Sequence, residues 1–290
     1  MELVLSIIIN SLSLGGIYAM IALGYTMVYG IAKMLNFAHG DIIMVGGYVI
    51  YSFMAFSNPI VAIIAAVVFC MILGITVEKV AYKPLRGASP LAVLITAIGV
   101  SYLLQSLAQI IFGSASKMVT VYDFGSITVM GVNLKMSSLV TLGMTIIVMV
   151  ALTLFVKYTA IGRAMIAVSE DRGAAQLMGI NINSIITITF AIGSALAALA
   201  GLFYLLEAPS VSSTLGAMPG IKAFTAAVIG GIGSIPGAML GGLLLGIVET
   251  LSYKITVIAP YTEAIEFSIL IIILLVRPTG FLGKKRREKV

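Results

Sequence analysis

The sequence predicts an all-α fold: a polytopic transmembrane helix bundle with a re-entrant half-helix pair and a short cytoplasmic helix, in one domain spanning 1–290. Three observations predict it. Of 290 residues, 60% are hydrophobic and 10% charged, against roughly a quarter charged in soluble domains. So apolar a chain lacks the polar surface to face water. Its apolar residues fall in runs approaching or exceeding the ~20 needed to cross a bilayer. The runs are continuous rather than alternating over ~10 residues, which selects helices over barrel strands.

Taken in order, apolar runs predict spans at 3–29, 37–56, 60–77, 91–112, 139–156, 185–206 and 264–276. The start, Met1-Glu2-Leu3, lacks the basic region of a cleaved signal peptide, so the first run reads as a mature span. The stretch 222–251 is apolar but broken by Gly230, Gly231, Gly233, Pro236, Gly237, Gly241, Gly242 and Gly246. About ten residues precede its Gly-Ser-Ile-Pro-Gly turn, too few to cross ~30 Å at 1.5 Å per residue. A re-entrant pair of half-helices is expected there, covered by protein or lining a water-filled cavity.

Lysine and arginine set the orientation. Alternating the spans puts Lys33, Lys79, Lys83, Arg86, Lys157, Arg163, Arg172, Arg277, Lys284, Lys285, Arg286, Arg287 and Lys289 on one side. Lys117, Lys135, Lys222 and Lys254 fall on the other. The richer side is expected to be the cytoplasm, with the C-terminus inside and the N-terminus outside. The loop 113–136 is then external, and its Val, Thr, Tyr and Gly content predicts a short hairpin. Ile43–Ile50 and Ala238–Leu245 read alike around paired glycines. Related halves with matching helix breaks and chance among aliphatic letters both account for that.

Candidate chemistry is sparse. No G-x-x-x-x-G-K-[ST] phosphate loop occurs, nor a nucleophile elbow or zincin motif, so neither ATP hydrolysis by that route nor a membrane-embedded enzyme is expected. The single cysteine, Cys70, excludes an intrachain disulfide and reads as a small buried residue. No metal site or cofactor is expected, and no nucleic-acid partner either, because the basic residues behind the net charge of +6 lie beside membrane spans. Asn36, His39 and Asp41 stand at a helix break and are candidates for the translocation pathway, with Gly231, Ser234 and Pro236 at the second break. For the first three a structural explanation is preferred or stands beside the functional one: Asn36 has N-cap chemistry, His39 suits a packed ring, and Asp41 suits the positive end of a helix. Small residues spaced by four (Gly193, Ala197, Gly201; Gly237, Gly241; Gly242, Gly246) permit close helix approach, within the subunit or against a partner.

The longest cytoplasmic loop, 157–183, predicts a short amphipathic helix ended by Gly179. Such a helix suits docking into another protein's groove or lying on lipid. Gly162, Arg163, Ala164, Ala167, Glu170 and Asp171, with Gly179-Ile180-Asn181, resemble the coupling loop of branched-chain amino-acid ABC importer permeases. Ile166 departs from that pattern, where the family usually has arginine. The resemblance extends to Gly24–Gly30, to Asn36-Phe37-Ala38-His39-Gly40-Asp41, to Gly230–Ala238 and to Arg277-Pro278-Thr279-Gly280, and so runs nearly end to end. It implies a permease of a bacterial cytoplasmic (inner) membrane, binding no ATP itself. The implied partners are two ATP-binding subunits, a second related permease, a periplasmic or lipid-anchored substrate-binding protein, and membrane lipid. The short cytoplasmic helix is then a coupling helix. Branched-chain amino acids are the implied cargo, with urea and amides served by related permeases. A self-sufficient secondary carrier or channel is the competing reading, disfavoured by the few intramembrane charges.

Overall fold

The computed structural model describes residues 2–129 and 132–283; the basic tail residues Lys284, Lys285, Arg286, Arg287 and Lys289 lie outside them. Eleven α-helices occur among the described residues: α1 (Glu2–Ala32), α2 (His39–Met54), α3 (Pro59–Val77), α4 (Pro90–Phe112), α5 (Met136–Tyr158), α6 (Ala160–Glu170), α7 (Arg172–Leu177), α8 (Ile182–Glu207), α9 (Ala217–Gly230), α10 (Ile235–Lys254) and α11 (Thr262–Val276). Local chemistry sets several starts. Asn58, Ser89 and Ser234 each accept a backbone N–H three residues on, with proline in the first turn, where its missing N–H costs nothing. Asn181 caps α8 in the same way through the N–H of Ser184.

Among the described residues, seven helices are long and apolar enough to cross a membrane: Ser6–Ala32, Pro59–Leu85, Pro90–Phe112, Met136–Tyr158, Ile182–Glu207, Ile235–Lys254 and Ala259–Val276. The number equals that read from sequence, but the membership differs. Run 37–56 yields α2, of only 16 residues, or ~24 Å. Conversely, α10 has 20 residues and is not a half-helix. Gly241, Gly242 and Gly246 do not break it, because they pack against neighbouring backbone: Gly242 on Ala19 and Gly246 on Gly15 of α1, and Gly241 on Ala226. The expected pair of halves is thus one short helix, α9 (14 residues), followed by a full one; the second short helix is α2.

The loop after α4 forms the expected hairpin, β2 (Ser126–Val129) against β3 (Val132–Lys135). Upstream of it, β1 (Lys117–Met118) pairs antiparallel with β4 (Ser210–Val211), tying the loop to the segment between α8 and α9.

The packing relates two halves. α1 packs on α10 as α8 packs on α3, and α1 meets α9 as α8 meets α2. α1 and α8 run antiparallel, because Ser13 Oγ donates to Glu207 Oε1 over 3.1 Å at one end while Gly24 faces Gly193 further along. Each half therefore reads long helix, break, short helix, turn, long helix, in opposite directions: an inverted repeat of the sort found in transporters. It matches α2 with α9 and α3 with α10. The sequence likeness of 43–50 to 238–245 joins α2 to α10 instead, and is not this repeat. The spaced small residues serve packing within the subunit: Gly193 lies against Gly24, Gly201 against Ile43, and Gly237 against Gly230.

Candidate functional site

The two short helices meet start to start. Gly40, in the first turn of α2, lies against Gly216 and Gly220 at the start of α9, so closely that a Cβ at Gly40 or Gly216 would overlap the other's backbone. His39, at the head of α2, is 1% exposed. Its ring stands edge-on to Tyr25, with centroids 4.8 Å apart, and fills the space a Cβ on Gly24 would take. Its Nε2 has no hydrogen-bond partner among the described residues. Phe224 of α9 packs on both Tyr25 and Phe37. Asp41 is buried and accepts from Gln105 Nε2 of α4 over 2.9 Å. Asn36 caps nothing; its Oδ1 accepts from the Tyr82 hydroxyl over 2.8 Å, holding the α1–α2 break against the end of the α3 limb. Asn36, His39 and Asp41 thus cluster around one helix junction.

Gly231, Ser234 and Pro236 sit elsewhere. Their turn lies beside Gly30 through Gly233, six residues or ~9 Å along α1 from the level of Gly24. Gly231 has φ +104 and abuts Thr279 and Gly283. Phe281 and Leu282 donate their N–H groups to Ile229 and Gly230 carbonyls over 2.9 Å, so the chain after α11 satisfies the end of α9. Ser234 Oγ caps α10.

Lys222 is not a loop residue. It is buried on α9, with Nζ 2.8 Å from Glu249 Oε1 of α10 and 3.3 Å from Glu266 Oε2 of α11, and 6.0 Å above the Tyr18 ring. Two carboxylates and one ammonium are enclosed together. Residue types and rough span edges place these three near helix ends; only the tertiary fold reveals that they converge.

The loop 157–183 folds as two helices, not one. Thr159 caps α6 through the N–H of Gly162 over 2.9 Å. Asp171 leaves the helical region at φ −150 and caps α7 through the N–H of Ala174. Gly179, at φ +83, ends the second helix. Gly162 is required because a Cβ there would overlap the carbonyls ending α5. Met165, Val168 and Ala175 face inward, and Ala164 and Ala167 pack partly against the same core. Arg163 is exposed and donates to the Tyr158 carbonyl over 2.8 Å; Glu170 and Asp171 are exposed. The most outward apolar residues are Leu177, 90% exposed, and Met178, 83% exposed, at the tip of α7, with Ile161 and Ile166 of α6 at 40% and 42%.

Residues 7–274 match the family model described as branched-chain amino acid transport system / permease component. The chain belongs to this family. The permease is 42% identical over 298 residues to the high-affinity branched-chain amino acid transport system permease protein BraD of Pseudomonas aeruginosa, covering 98% of this chain and 97% of that one. It is 42% identical to LivH of Escherichia coli, covering 97% and 96%, and 29% identical to the probable LivH of Methanocaldococcus jannaschii, covering 91% and 88%. Among solved structures, PsaBC from Streptococcus pneumoniae in complex with Fab superimposes with a TM-score of 0.51 at 17% identity, over 93% of this chain and 91% of that one, a likeness of fold alone.

Proposed function

We propose that this permease forms half of the membrane channel of a bacterial ABC importer. It translocates branched-chain amino acids delivered by an external binding protein, with a second permease and two ATP-binding subunits completing the assembly. The reading is carried by one observation: relatives named as branched-chain amino acid permeases match at 42% identity over nearly the whole chain. The loop bearing α6 and α7 lies on the cytoplasmic side and receives the ATP-binding subunit. Leu177 and Met178 are the apolar anchors of that contact, and Arg163, Glu170 and Asp171 orient it, each exposed charge contributing roughly 0–1 kcal/mol. The junction of α2 and α9, with His39 and Asp41, borders the pathway, because paired broken helices mark binding regions in inverted-repeat transporters.

The test is uptake of radiolabelled leucine by a strain lacking its own transporter and supplied with the whole gene set. Uptake should follow cellular ATP and persist when an ionophore collapses the proton gradient. Leu177→Asp should leave the permease folded and membrane-inserted while copurification of the ATP-binding subunit and uptake both fall at least tenfold. Uptake that follows the proton gradient instead would favour a self-sufficient carrier, for which the enclosed Lys222, Glu249 and Glu266 group is the supporting observation.

A further inference from the structure

The largely apolar helix α4 carries a polar stripe. Ser101, Gln105 and Gln109 recur every four residues and so share a face. Ser101 stands midway along the 23-residue helix, with Gln105 and Gln109 toward its end. The stripe touches the approaches to both short helices. Gln105 Nε2 donates to Asp41 Oδ1, in the first turn of α2, over 2.9 Å and to Ser101 Oγ over 3.2 Å. Gln109 Nε2 donates to Ser213 Oγ, just before α9, over 3.1 Å. Asp41 and Ser213 are buried, but Ser101 and Gln105 are only half-buried, and Gln109 and nearby Ser106 are exposed. An amide facing hydrocarbon is costly, and polar side chains within spans gather on water-filled cavities or the bundle interior. The exposed apolar residues Leu103 and Ile110 lie about 100° or more round the helix from the stripe. Asp41 has no cation within ion-pairing distance among the described residues. α2 and α4 run parallel, since Tyr48 stacks on Phe112, each further along its helix than the Asp41–Gln105 pair. The packed rings of Phe37, His39, Tyr25 and Phe224 therefore lie on the side of Asp41 away from Gln109.

We propose that Ser101, Gln105 and Gln109 form one wall of the solute passage, and that Asp41 at its inner end receives the ammonium group of the amino acid. The amides give a polar track through an apolar helix, the carboxylate supplies the charge that an ammonium seeks, and the rings beyond it close the way. The open side of the stripe faces the second permease across water. Such a wall deepens the importer reading and rests on it for the choice of cargo; that the stripe is wet and the rest of α4 is not stands apart from the cargo's identity.

Thiol labelling of the assembled transporter in proteoliposomes, with a charged, membrane-impermeant methanethiosulfonate, tests both parts. Native Cys70 is buried and should stay silent. Ser101→Cys should react roughly tenfold faster than Leu103→Cys at nearly the same depth, because the reactive thiolate forms in water and not in hydrocarbon. Leucine supplied with its binding protein should slow the reaction at Ser101→Cys. Asp41→Asn keeps an oxygen for Gln105 but removes the charge. In that background Ser101→Cys should still react and leucine should no longer slow it. Leucine uptake should fall roughly tenfold, as for the loss of one hydrogen bond to a charged group, while the ATP-binding subunits still copurify. Equal reaction of Ser101→Cys and Leu103→Cys would overturn the wall. So would silence at Ser101→Cys, the result expected of a stripe sealed in a dry subunit contact. Leucine protection that survives Asp41→Asn would overturn the ammonium site. ATP-driven leucine uptake by the unmodified assembly separates these failures from failure of the importer reading: with that uptake intact, such labelling counts against the passage alone.

Discussion

Replacing Lys222 by methionine should be among the most damaging single changes in the membrane interior. Lys222 is the only cation within ion-pairing distance of Glu249 and Glu266 among the described residues, at 2.8 and 3.3 Å, and side-chain exposure in the group is 8% or less. Methionine matches the length of the stem but leaves two buried carboxyls facing one another. Breaking a buried pair from one side costs about 3–5 kcal/mol, or roughly 10 °C in melting temperature at ~2–4 °C per kcal/mol. The two acids are not equivalent. Glu249→Gln removes the shorter bond but leaves Lys222 paired with Glu266, so a loss of about 1–3 kcal/mol is expected. Glu266→Gln removes the surplus negative charge and should fall within about 1 kcal/mol of the parent. The chain has no tryptophan, so thermal unfolding in detergent is best followed by far-ultraviolet circular dichroism. A Lys222→Met protein melting within a degree of the parent, or Glu266→Gln melting lowest of the three, would refute the reasoning.

Gly216→Ala should fail to accumulate as folded protein, because the added Cβ meets the Gly40 carbonyl, a backbone atom that cannot turn aside. Gly99→Ala and Gly143→Ala, with open space around each, should be neutral or stabilising by roughly 0–1 kcal/mol; size-exclusion profiles after membrane extraction separate the two classes. Tyr82→Phe should cost about 1–3 kcal/mol by leaving Asn36 Oδ1 buried without its donor, measured as a lowered melting temperature. Cysteines introduced at Ser126 and Gln176, both exposed, should react with impermeant thiol reagents from opposite sides of the membrane, while native Cys70, buried, stays silent. Labelling of both from one side would overturn the assigned orientation.

The helical bundle was legible because long apolar runs have few alternatives in lipid. So was the glycine that ends the loop helices, Gly179 at φ +83; the N-cap chemistry read at Asn36 was not realised, because its side chain is taken by Tyr82 instead. Element length was legible only where a local signal ends the helix. Run 37–56 looks like a full span because its first residues are apolar, yet Asn36 is captured by Tyr82, 46 residues away, and the helix begins late. Gly241, Gly242 and Gly246 look like breaks because glycine weakens an isolated helix; Gly241 instead packs on Ala226 of α9, and the contacts of Gly242 and Gly246 with α1 depend on a partner more than 200 residues distant. The convergence of Lys222, Glu249 and Glu266 likewise joins three helices. No spacing rule connects them, whereas the motif around Asn36–Asp41 is contiguous and could be singled out directly.

The contact of α1 with α10 has a mechanical consequence. At Gly15, Ala19, Gly242 and Gly246 the two helices touch main chain to main chain, with no side chains between them to change rotamer. Such a seam has one register: sliding it by a residue would drive a Cβ or a bulkier side chain into a space shaped for none. It behaves as a keel. Any cyclic movement of the molecule must carry α1 and α10 as one rigid piece and take up its displacement elsewhere. Interfaces built from interdigitated side chains, such as that of Tyr48 with Phe112 between α2 and α4, have alternative packings to offer.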